Sequence, residues 1–350
     1  MTPGIAIVGM GMVGQMCHLA NFVSNPACRV VAIADLRPEL AAAAAAKFGV
    51  SRVYRTHREL LEDLDVSGVV VVTRRRATGP IVLDALDSGR HVLSEKPMAY
   101  TTAQARMLVD AAKKRNLIYS VGYMKRHDAG VARAVALLRQ LRATGSFGRA
   151  VSARAWCFAG DTGGSRDNFV MTPEARPDGI ELWPDGPDWM SVALRPGYDN
   201  FLNVFSHIIN LARYMFGASP SVLTSNVGPD GLGTFILDFD GVTCSFELGN
   251  EAAGVWREGL SLSFERGSVT LELPPPFAEE EARVTVDDSG RISHLPHESS
   301  WAFRRQAEAF VSDIVNHAKP RASGEDSAVD IALAEMIWRR LAEGSKHPLT

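Results

Sequence analysis

Short apolar runs alternate with helical patterns along the first third of the chain. The first run, residues 5–8, has no polar interruption and ends at a glycine turn, which is typical of a parallel strand buried on both faces. Strands that alternate with helices predict an α/β fold, with a doubly wound parallel Rossmann sheet over residues 1–122. Further strands are predicted at residues 29–34, 69–73, 91–94 and 117–121, and helices at about 12–22, 39–48, 81–88 and 102–115.

The pattern changes after residue 122. Short alternating strands follow one another from residue 221 onward, with turns at Asp240-Gly241 and Arg266-Gly267. The sequence therefore predicts a second α/β domain over residues 123–350 with a large, mostly antiparallel open sheet. The segment 160–200, rich in proline and glycine, is interpreted as a lid, although an exposed insertion without a role would have the same composition. Flanking elements are predicted at about 128–143, 149–158, 301–317 and 327–343.

Composition narrows the class of partner. The 350 residues carry a formal net charge of -3, so nucleic acid and anionic membranes are disfavoured and a small molecule is expected. The four cysteines lie far apart without a CxxC pair, which argues against a metal site or a disulfide framework and indicates a reducing compartment. No signal peptide and no apolar stretch of the roughly 20 residues that span a bilayer is recognised, so a cytoplasmic location is expected.

A glycine-rich turn directly follows the first predicted strand. Residues 9–14, Gly-Met-Gly-Met-Val-Gly, fit the pattern GxGxxG, in which glycines let the backbone approach a pyrophosphate at a helix N-terminus. Asp35 ends the second strand, where a carboxylate binds the adenosine ribose hydroxyls and repels a 2′-phosphate, which predicts NAD. Arg37 could compensate a phosphate, so NADP stays an alternative. The predicted cofactor contacts are Gly9, Gly11, Met12, Val13, Gly14, Asp35, Leu36, Arg37, Thr73, Arg74, Glu95 and Lys96.

The tetrapeptide Ser94-Glu95-Lys96-Pro97 lies at the end of a predicted strand, at the edge where open parallel sheets bind their ligands. A lysine ammonium there can donate a hydrogen bond to a substrate hydroxyl and favour the alkoxide character that develops as hydride leaves. An ordinary surface ion pair between Glu95 and Lys96 explains the tetrapeptide equally well by itself.

Four segments resemble the Gfo/Idh/MocA oxidoreductases, a family that includes inositol and glucose dehydrogenases. They are residues 9–14, residues 85–92 leading into Glu95-Lys96-Pro97, Gly122-Tyr-Met-Lys-Arg126, and residues 323–326. The resemblance implies a Rossmann domain followed by an α/β domain whose open sheet packs against another subunit, hence a homodimer or homotetramer. It also implies that Lys96 is the essential lysine.

The family's second catalytic motif, Asp-x-x-x-His, corresponds here to Asn203-Val-Phe-Ser-His207. At helical spacing, Asn203, His207, Asn210 and Tyr214 share one polar face. The resemblance implies that His207 takes the hydroxyl proton during oxidation and returns it during reduction, whereas spacing alone favours a histidine hydrogen-bonded in the interior. Asn203 replaces the usual aspartate, so it can orient the imidazole or bind a hydroxyl but cannot offset imidazolium charge.

A second departure from the family pattern is the run Arg74-Arg75-Arg76, where relatives commonly have a Thr-Pro pair and a later histidine. These arginines either bind the carboxylate or phosphate of an acidic or nucleotide-linked sugar, or are solvated loop charges, which is the favoured interpretation. Substrate contacts are predicted for Tyr123, Arg126, Asn203, His207 and Trp183, and weaker lid candidates are Asp161, Arg166 and Trp189.

The sequence thus predicts an NAD(P)-dependent dehydrogenase or reductase that acts on a secondary alcohol or ketone of a sugar, a sugar derivative or a cyclitol. The resemblance leaves two non-redox alternatives, a cofactor-binding regulator and a glycosidase that oxidises its sugar transiently. The retained lysine and histidine disfavour the regulator. The hypothesis requires Lys96 and His207 to reach the same carbinol carbon.

Overall fold

The structure is a computed structural model that describes residues 2–164, 168–217 and 219–344. The chain divides into two compact units, and each is assembled from segments that are distant in sequence. The first unit contains Met1–Met124, Ser165–Asp185 and Phe303–Ala328, and the second contains Lys125–Gly164, Gly186–Ala302 and Val329–Thr350.

Six parallel strands form the sheet of the first unit, in the order β3-β2-β1-β4-β5-β6. Every residue of β1 and β4 is buried, as expected for strands covered on both faces. The strand order reverses between β1 and β4, so the carboxyl ends of these strands flank the crevice where such sheets bind ligands. The predicted Rossmann sheet is confirmed. Its strands are β1 (Gly4–Val8), β2 (Arg29–Ala34), β3 (Arg52–Tyr54), β4 (Gly68–Val71), β5 (His91–Ser94) and β6 (Tyr119–Val121).

Proline, glycine and capping side chains mark the ends of several helices in the first unit. Pro38 occupies the first turn of α2, and the left-handed Gly49 ends it. The Thr101 side chain accepts a hydrogen bond from the Gln104 backbone and caps α5. The helices are α1 (a π-helical turn, Gly14–Leu19, continued by Ala20–Val23), α2 (Pro38–Phe48), α3 (His57–Leu61), α4 (Arg75–Asp87), α5 (Thr102–Lys114) and α9 (Ala302–Asn316).

Helix α4 begins at Arg75, so the helix start predicted near residue 81 was wrong, and so was the placement of the arginine run in a loop. Pro80 concealed the first turn, because proline normally interrupts a helix by removing one backbone donor. The Arg76 carbonyl, which a residue-80 amide would otherwise bind, accepts the Trp183 amide hydrogen at 2.9 Å instead.

Eight strands form the sheet of the second unit, in the order β14-β13-β12-β11-β7-β10-β9-β8. All neighbours are antiparallel except β7 and β10, which confirms the predicted large, mostly antiparallel sheet. The β9–β10 turn at Asp240-Gly241 is as predicted, whereas Phe264 pairs with Gly267, which shifts the next turn by one residue. The strands are β7 (Ala150–Ala159), β8 (Ser221–Val227), β9 (Gly233–Phe239), β10 (Val242–Asn250), β11 (Arg257–Phe264), β12 (Gly267–Leu273), β13 (Arg283–Asp288) and β14 (Arg291–His294).

Helices of the second unit pack against its sheet through aromatic side chains. Phe216 stacks on Phe239 with ring centroids 4.4 Å apart, and Phe201 lies 6.2 Å from Phe235. None of the helices in the described part of the chain combines the length and apolar character that crossing a bilayer requires. The helical segments are α6 (Ala129–Thr144), α7 (Arg195–Asn200), a π-helical turn (Phe201–Phe205), α8 (Ser206–Phe216) and α10 (Gly324–Gly344).

Candidate functional site

The glycine turn of the first unit contains two glycines required by packing and one that faces open space. A Cβ atom on Gly9 would lie 2.0 Å from the Val72 carbonyl oxygen, and one on Gly14 would lie 2.0 Å from the Gly9 carbonyl oxygen. A Cβ atom on Gly11 would meet nothing within 4 Å. The turn therefore packs tightly against β4 and α1 and keeps a free approach at Gly11, which is the shape that a dinucleotide pyrophosphate requires.

Asp35 links the end of β2 to this turn. Its carboxylate accepts hydrogen bonds from the Met10 amide at 2.7 Å and from the Arg37 amide at 3.0 Å. The Arg37 guanidinium also binds both carboxylate oxygens, at 2.9 and 3.0 Å. The predicted contacts Gly11, Met12, Val13, Leu36, Arg37 and Thr73 are partly exposed, and Arg74 is exposed. These residues fit a bound dinucleotide, and each individual contact stays a prediction.

Glu95 binds a histidine that the sequence analysis did not single out. His18 is 1% exposed, and its Nε2 lies 2.8 Å from Glu95 Oε1. The other Glu95 carboxylate oxygen accepts the Lys96 amide hydrogen at 3.2 Å. The Glu95 side chain thus connects α1 to the turn that carries Lys96, whose side chain is partly exposed. A histidine one helical turn after Gly14, in a helix whose residues are mostly buried, was the available signal.

Residues 168–185, here called the strap, belong to the first unit and contact four of its helices near their N-termini. The Gln15 side chain exchanges two hydrogen bonds with the Val170 backbone, at 2.9 and 3.0 Å. Glu174 caps α2, and the Gln104 amide donates to the Pro184 carbonyl at 3.0 Å. The Trp183 ring lies against Gly79 in α4, where a Cβ atom would be 2.2 Å from the ring.

These four helices follow parallel strands, so their N-termini lie at the carboxyl edge of the sheet. The strap therefore runs along the edge where a dinucleotide would bind. The segment 160–200, interpreted as one lid, is divided between the two units, and residues 195–200 of it form α7. Trp183 packs on α4, and its contact with a substrate stays a prediction.

His207 and Asn203 both belong to the second unit, in consecutive helical segments. His207 lies in α8 and is 7% exposed, whereas Asn203 lies in the preceding π-helical turn and is partly exposed. The π-helical turn contains more residues per turn than an α-helix, so the spacing argument that assumed one continuous α-helix was wrong in detail. Their roles in chemistry stay predictions.

Arg126 belongs to a buried polar network. Its guanidinium donates to Asn210 Oδ1 at 2.6 Å and lies 5.0 Å from the centroid of the Tyr214 ring. Asp330 accepts hydrogen bonds from Asn210 at 2.6 Å and from Arg213 at 2.8 Å. Asn210 and Tyr214, two members of the predicted polar face, thus contact the Arg126 side chain.

The remaining candidates have local structural contacts. Tyr123 is 1% exposed. Asp161 closes a turn by accepting the Gly163 amide at 3.1 Å, and Arg339 lies 5.0 Å from the centroid of the Trp189 ring. Arg166 lies outside the described residues.

Residues 4–123 match a protein-family model, GFO_IDH_MocA, described as an oxidoreductase family with an NAD-binding Rossmann fold. Residues 4–123 belong to the Gfo/Idh/MocA oxidoreductases. The resemblance that the motifs indicated is therefore confirmed, as is the NAD-binding character of the fold.

Relatives of the chain in this family are named as dehydrogenases and reductases. Levoglucosan dehydrogenase of Pseudarthrobacter phenanthrenivorans is 28% identical over 66% of this chain and 58% of its own length. Inositol 2-dehydrogenase of Salmonella typhimurium is 33% identical over 37% of this chain and 39% of its own. The 1,5-anhydro-D-fructose reductase of Ensifer adhaerens is 25% identical over 90% and 89%. The first two matches thus span less than two thirds of these relatives.

Solved structures in the Gfo/Idh/MocA family share the fold over almost the whole chain. Aldose-aldose oxidoreductase from Caulobacter crescentus, complexed with glycerol, superposes with a TM-score of 0.75 at 22% identity, covering 98% of both chains. Levoglucosan dehydrogenase in complex with NADH and levoglucosan gives a TM-score of 0.74 at 20% identity, covering 97% of both. At these identities the superpositions establish the fold.

Proposed function

We propose that the protein is a nicotinamide-dependent oxidoreductase that transfers a hydride between NAD and a secondary alcohol or ketone of a sugar, a sugar derivative or a cyclitol. The observation that carries the proposal is the glycine turn at the switch point of the parallel sheet, packed at Gly9 and Gly14 and open at Gly11. The names of its relatives, which refer to levoglucosan, inositol and 1,5-anhydro-D-fructose, support a polyhydroxylated ring as substrate.

Lys96 is assigned to the substrate oxygen. It follows β5, next to β4 at the carboxyl edge of the sheet. When bound, NAD supplies the hydride acceptor at this edge. The Lys96 ammonium then donates a hydrogen bond to the substrate hydroxyl and stabilises its developing negative charge. The His18–Glu95 pair orients the turn that holds Lys96, through the bond from the Lys96 amide to Glu95.

His207 is assigned to the proton transfer, with Asn203 as its support. A neutral imidazole can accept the hydroxyl proton during oxidation and return it during reduction. Asn203 carries no charge, so it can position the ring or a substrate hydroxyl without stabilising an imidazolium. Tyr123, Arg126 and Trp183 are proposed to complete the substrate contacts.

The open face of the eight-stranded sheet is proposed as the surface of a homodimer or homotetramer. On this face, small hydroxyl side chains surround Arg154 and Trp156 and form a shallow depression. Small side chains of this kind allow a second sheet to pack closely against the face. The hydroxyl residues are Ser152, Thr243, Ser245, Ser261, Ser263 and Thr270. All four cysteines are free and buried, which supports the proposed cytoplasmic location.

The test is turnover of NAD, followed by the absorbance of the reduced nicotinamide, across inositols, aminocyclitols, free hexoses and nucleotide sugars. Lys96→Ala should lower kcat by about 10²–10³-fold while NADH binding, measured by fluorescence, persists. His207→Ala should lower kcat by about 10²-fold or more, also without loss of NADH binding. Full activity of Lys96→Ala would refute the role assigned to the lysine. Substrate cleavage without net accumulation of NADH would indicate the glycosidase alternative instead.

A further inference from the structure

The N-terminus of α2 is capped by a carboxylate from the strap. Glu174 Oε1 accepts the Glu39 amide hydrogen at 3.1 Å, and Glu174 Oε2 accepts the Leu40 amide hydrogen at 2.7 Å. The Thr172 hydroxyl donates a third hydrogen bond to Oε2 at 3.0 Å. The residue at the ordinary capping position, Arg37, makes no side-chain cap bond. The cap is therefore supplied by a residue distant in sequence.

In Rossmann folds, an arginine near the carboxylate that binds the ribose accommodates the 2′-phosphate of NADP, so the residues that follow β2 are the ones that would face this phosphate. Asp35 follows β2, and α2 begins at Pro38, so a ribose bound by the Asp35 carboxylate would have its 2′ substituent close to the first turn of α2. Backbone amides at a helix N-terminus are strong anion ligands and are available to a phosphate when no side chain uses them. Here Glu174 already uses the amides of Glu39 and Leu40.

The cation that could compensate a 2′-phosphate is also engaged. Arg37 makes a two-point ion pair with Asp35, and this hydrogen bonding raises the pKa of Arg37, with the Glu174 charge adding to the effect. Partial burial disfavours the Glu174 carboxylate, but the two backbone amides, Thr172 and Arg37 outweigh it and lower the pKa of Glu174. The Arg37 guanidinium thus interacts electrostatically with two acidic side chains, those of Asp35 and Glu174.

We propose that Glu174 is a cofactor-specificity residue that excludes NADP by filling the 2′-phosphate position with its own carboxylate. The proposal rests on the proposed dinucleotide binding and extends it, because it assigns the discrimination to the strap as well as to Asp35. It also predicts that Arg37 does not compensate a 2′-phosphate, because Asp35 holds its guanidinium. A bound 2′-phosphate would have to displace Glu174 from α2 and face Asp35 without a free guanidinium.

The experiment compares the binding of NADH and NADPH to the full chain by nicotinamide fluorescence and calorimetry, without any substrate. Wild type should bind NADH more tightly than NADPH. Glu174→Ala, which frees the amides and removes the charge, should tighten NADPH binding by about tenfold and change NADH binding by less than about threefold. Glu174→Gln, which keeps the side-chain shape, should give a smaller shift in the same direction.

Glu181→Gln is the matched control. Glu181 lies on the same strap, is exposed, and contacts Arg58 at 3.5 Å rather than α2, so the variant removes the same charge elsewhere. It should leave the ratio of the two dissociation constants at the wild-type value. The unfolding temperature of each variant reports whether the fold is retained. If Glu174→Ala destabilises α2 by removing the cap, Glu174→Gln still tests the proposal, because its side-chain oxygen can accept a hydrogen bond from α2.

Three results would overturn the proposal. One is an unchanged NADPH-to-NADH ratio in both folded Glu174 variants, and another is equal weakening of both dinucleotides, which would make Glu174 a helix cap only. The third is a wild type that prefers NADPH. A wild type that binds neither dinucleotide would refute the proposed function itself, and this result is distinguishable because no variant is needed to obtain it.

Discussion

The two sheets of this protein bury their side chains in different ways. In the six-stranded sheet, β1 and β4 are buried at every residue, because helices cover both faces of a parallel sheet. In the eight-stranded sheet, the central parts of β7 and β10 alternate between buried residues and residues that are exposed or partly exposed, and one face carries small hydroxyl side chains. The first sheet therefore offers ligands only its edge, whereas the second presents a whole face.

The two units also differ in where their polar side chains lie, at the sheet edge in the first unit and in the interior in the second. In the first unit, the candidate cofactor residues lie at strand ends and helix N-termini, where backbone amides and partly exposed side chains are available. In the second unit, Arg126, Asn210, Arg213 and Asp330 bind one another in the interior. The first arrangement is suited to binding an anion, and the second to fixing a helix against its neighbours.

The largest effect on stability is expected from Asp330→Ala in the second unit. The substitution leaves the Arg213 guanidinium buried without its carboxylate and should lower the free energy of unfolding by about 3–5 kcal/mol, measured by urea denaturation. Lys113→Ala, which breaks the exposed ion pair with Glu325, is the comparison and should cost below about 1 kcal/mol. Equal costs would mean that the buried network contributes no more than a surface pair.

Substitutions at Gly14 and Gly11 should distinguish an effect on packing from an effect on NADH binding in the first unit. Gly14→Ala places a methyl group against the Gly9 carbonyl and should cost about 1–3 kcal/mol of stability, with loss of NADH binding. Gly11→Ala points into open space, so it should leave the unfolding temperature unchanged and weaken NADH binding by about tenfold. A stable Gly14→Ala variant with normal NADH binding would contradict this description of the turn.

The smallest effect on folding is expected on the open sheet face. Ser245→Lys combined with Ser263→Lys should leave the subunit folded, because both side chains are partly exposed, and should reduce the molar mass in sedimentation. Lysines at Ala136 and Gln140, which are exposed on α6, add the same charge away from this face and serve as controls. An unchanged mass would place any subunit contact on another surface.

The elements that could be predicted from the sequence are those that a short stretch of neighbouring residues specifies. Continuous apolar runs identify the central parallel strands, and capping residues identify α2 and α5. The edge strand β3 was missed because it has three residues and no buried run. The π-helical turns were missed because one wide turn shifts the side-chain spacing only locally, and mostly apolar residues fill both segments.

The parts of the site that could not be predicted depend on contacts between distant residues. Glu174 lies 134 and 135 residues from the two α2 amides that it binds, and His18 and Glu95 are 77 apart. The spacing of apolar and polar residues along the chain carries no information about such pairs. The chemistry assigned to Lys96 was available from its position after a strand, whereas its support by His18 required the fold.

The bond between the Trp183 amide and the Arg76 carbonyl has a consequence for synthesis on the ribosome. The first turn of α4 lacks one donor from Pro80 and obtains it from a segment made about a hundred residues later. The nucleotide-binding unit also includes residues 303–328, which contain most of α9. A fragment ending at residue 124 should therefore be an incomplete module, and folding of this unit should finish only after nearly the entire polypeptide has been translated.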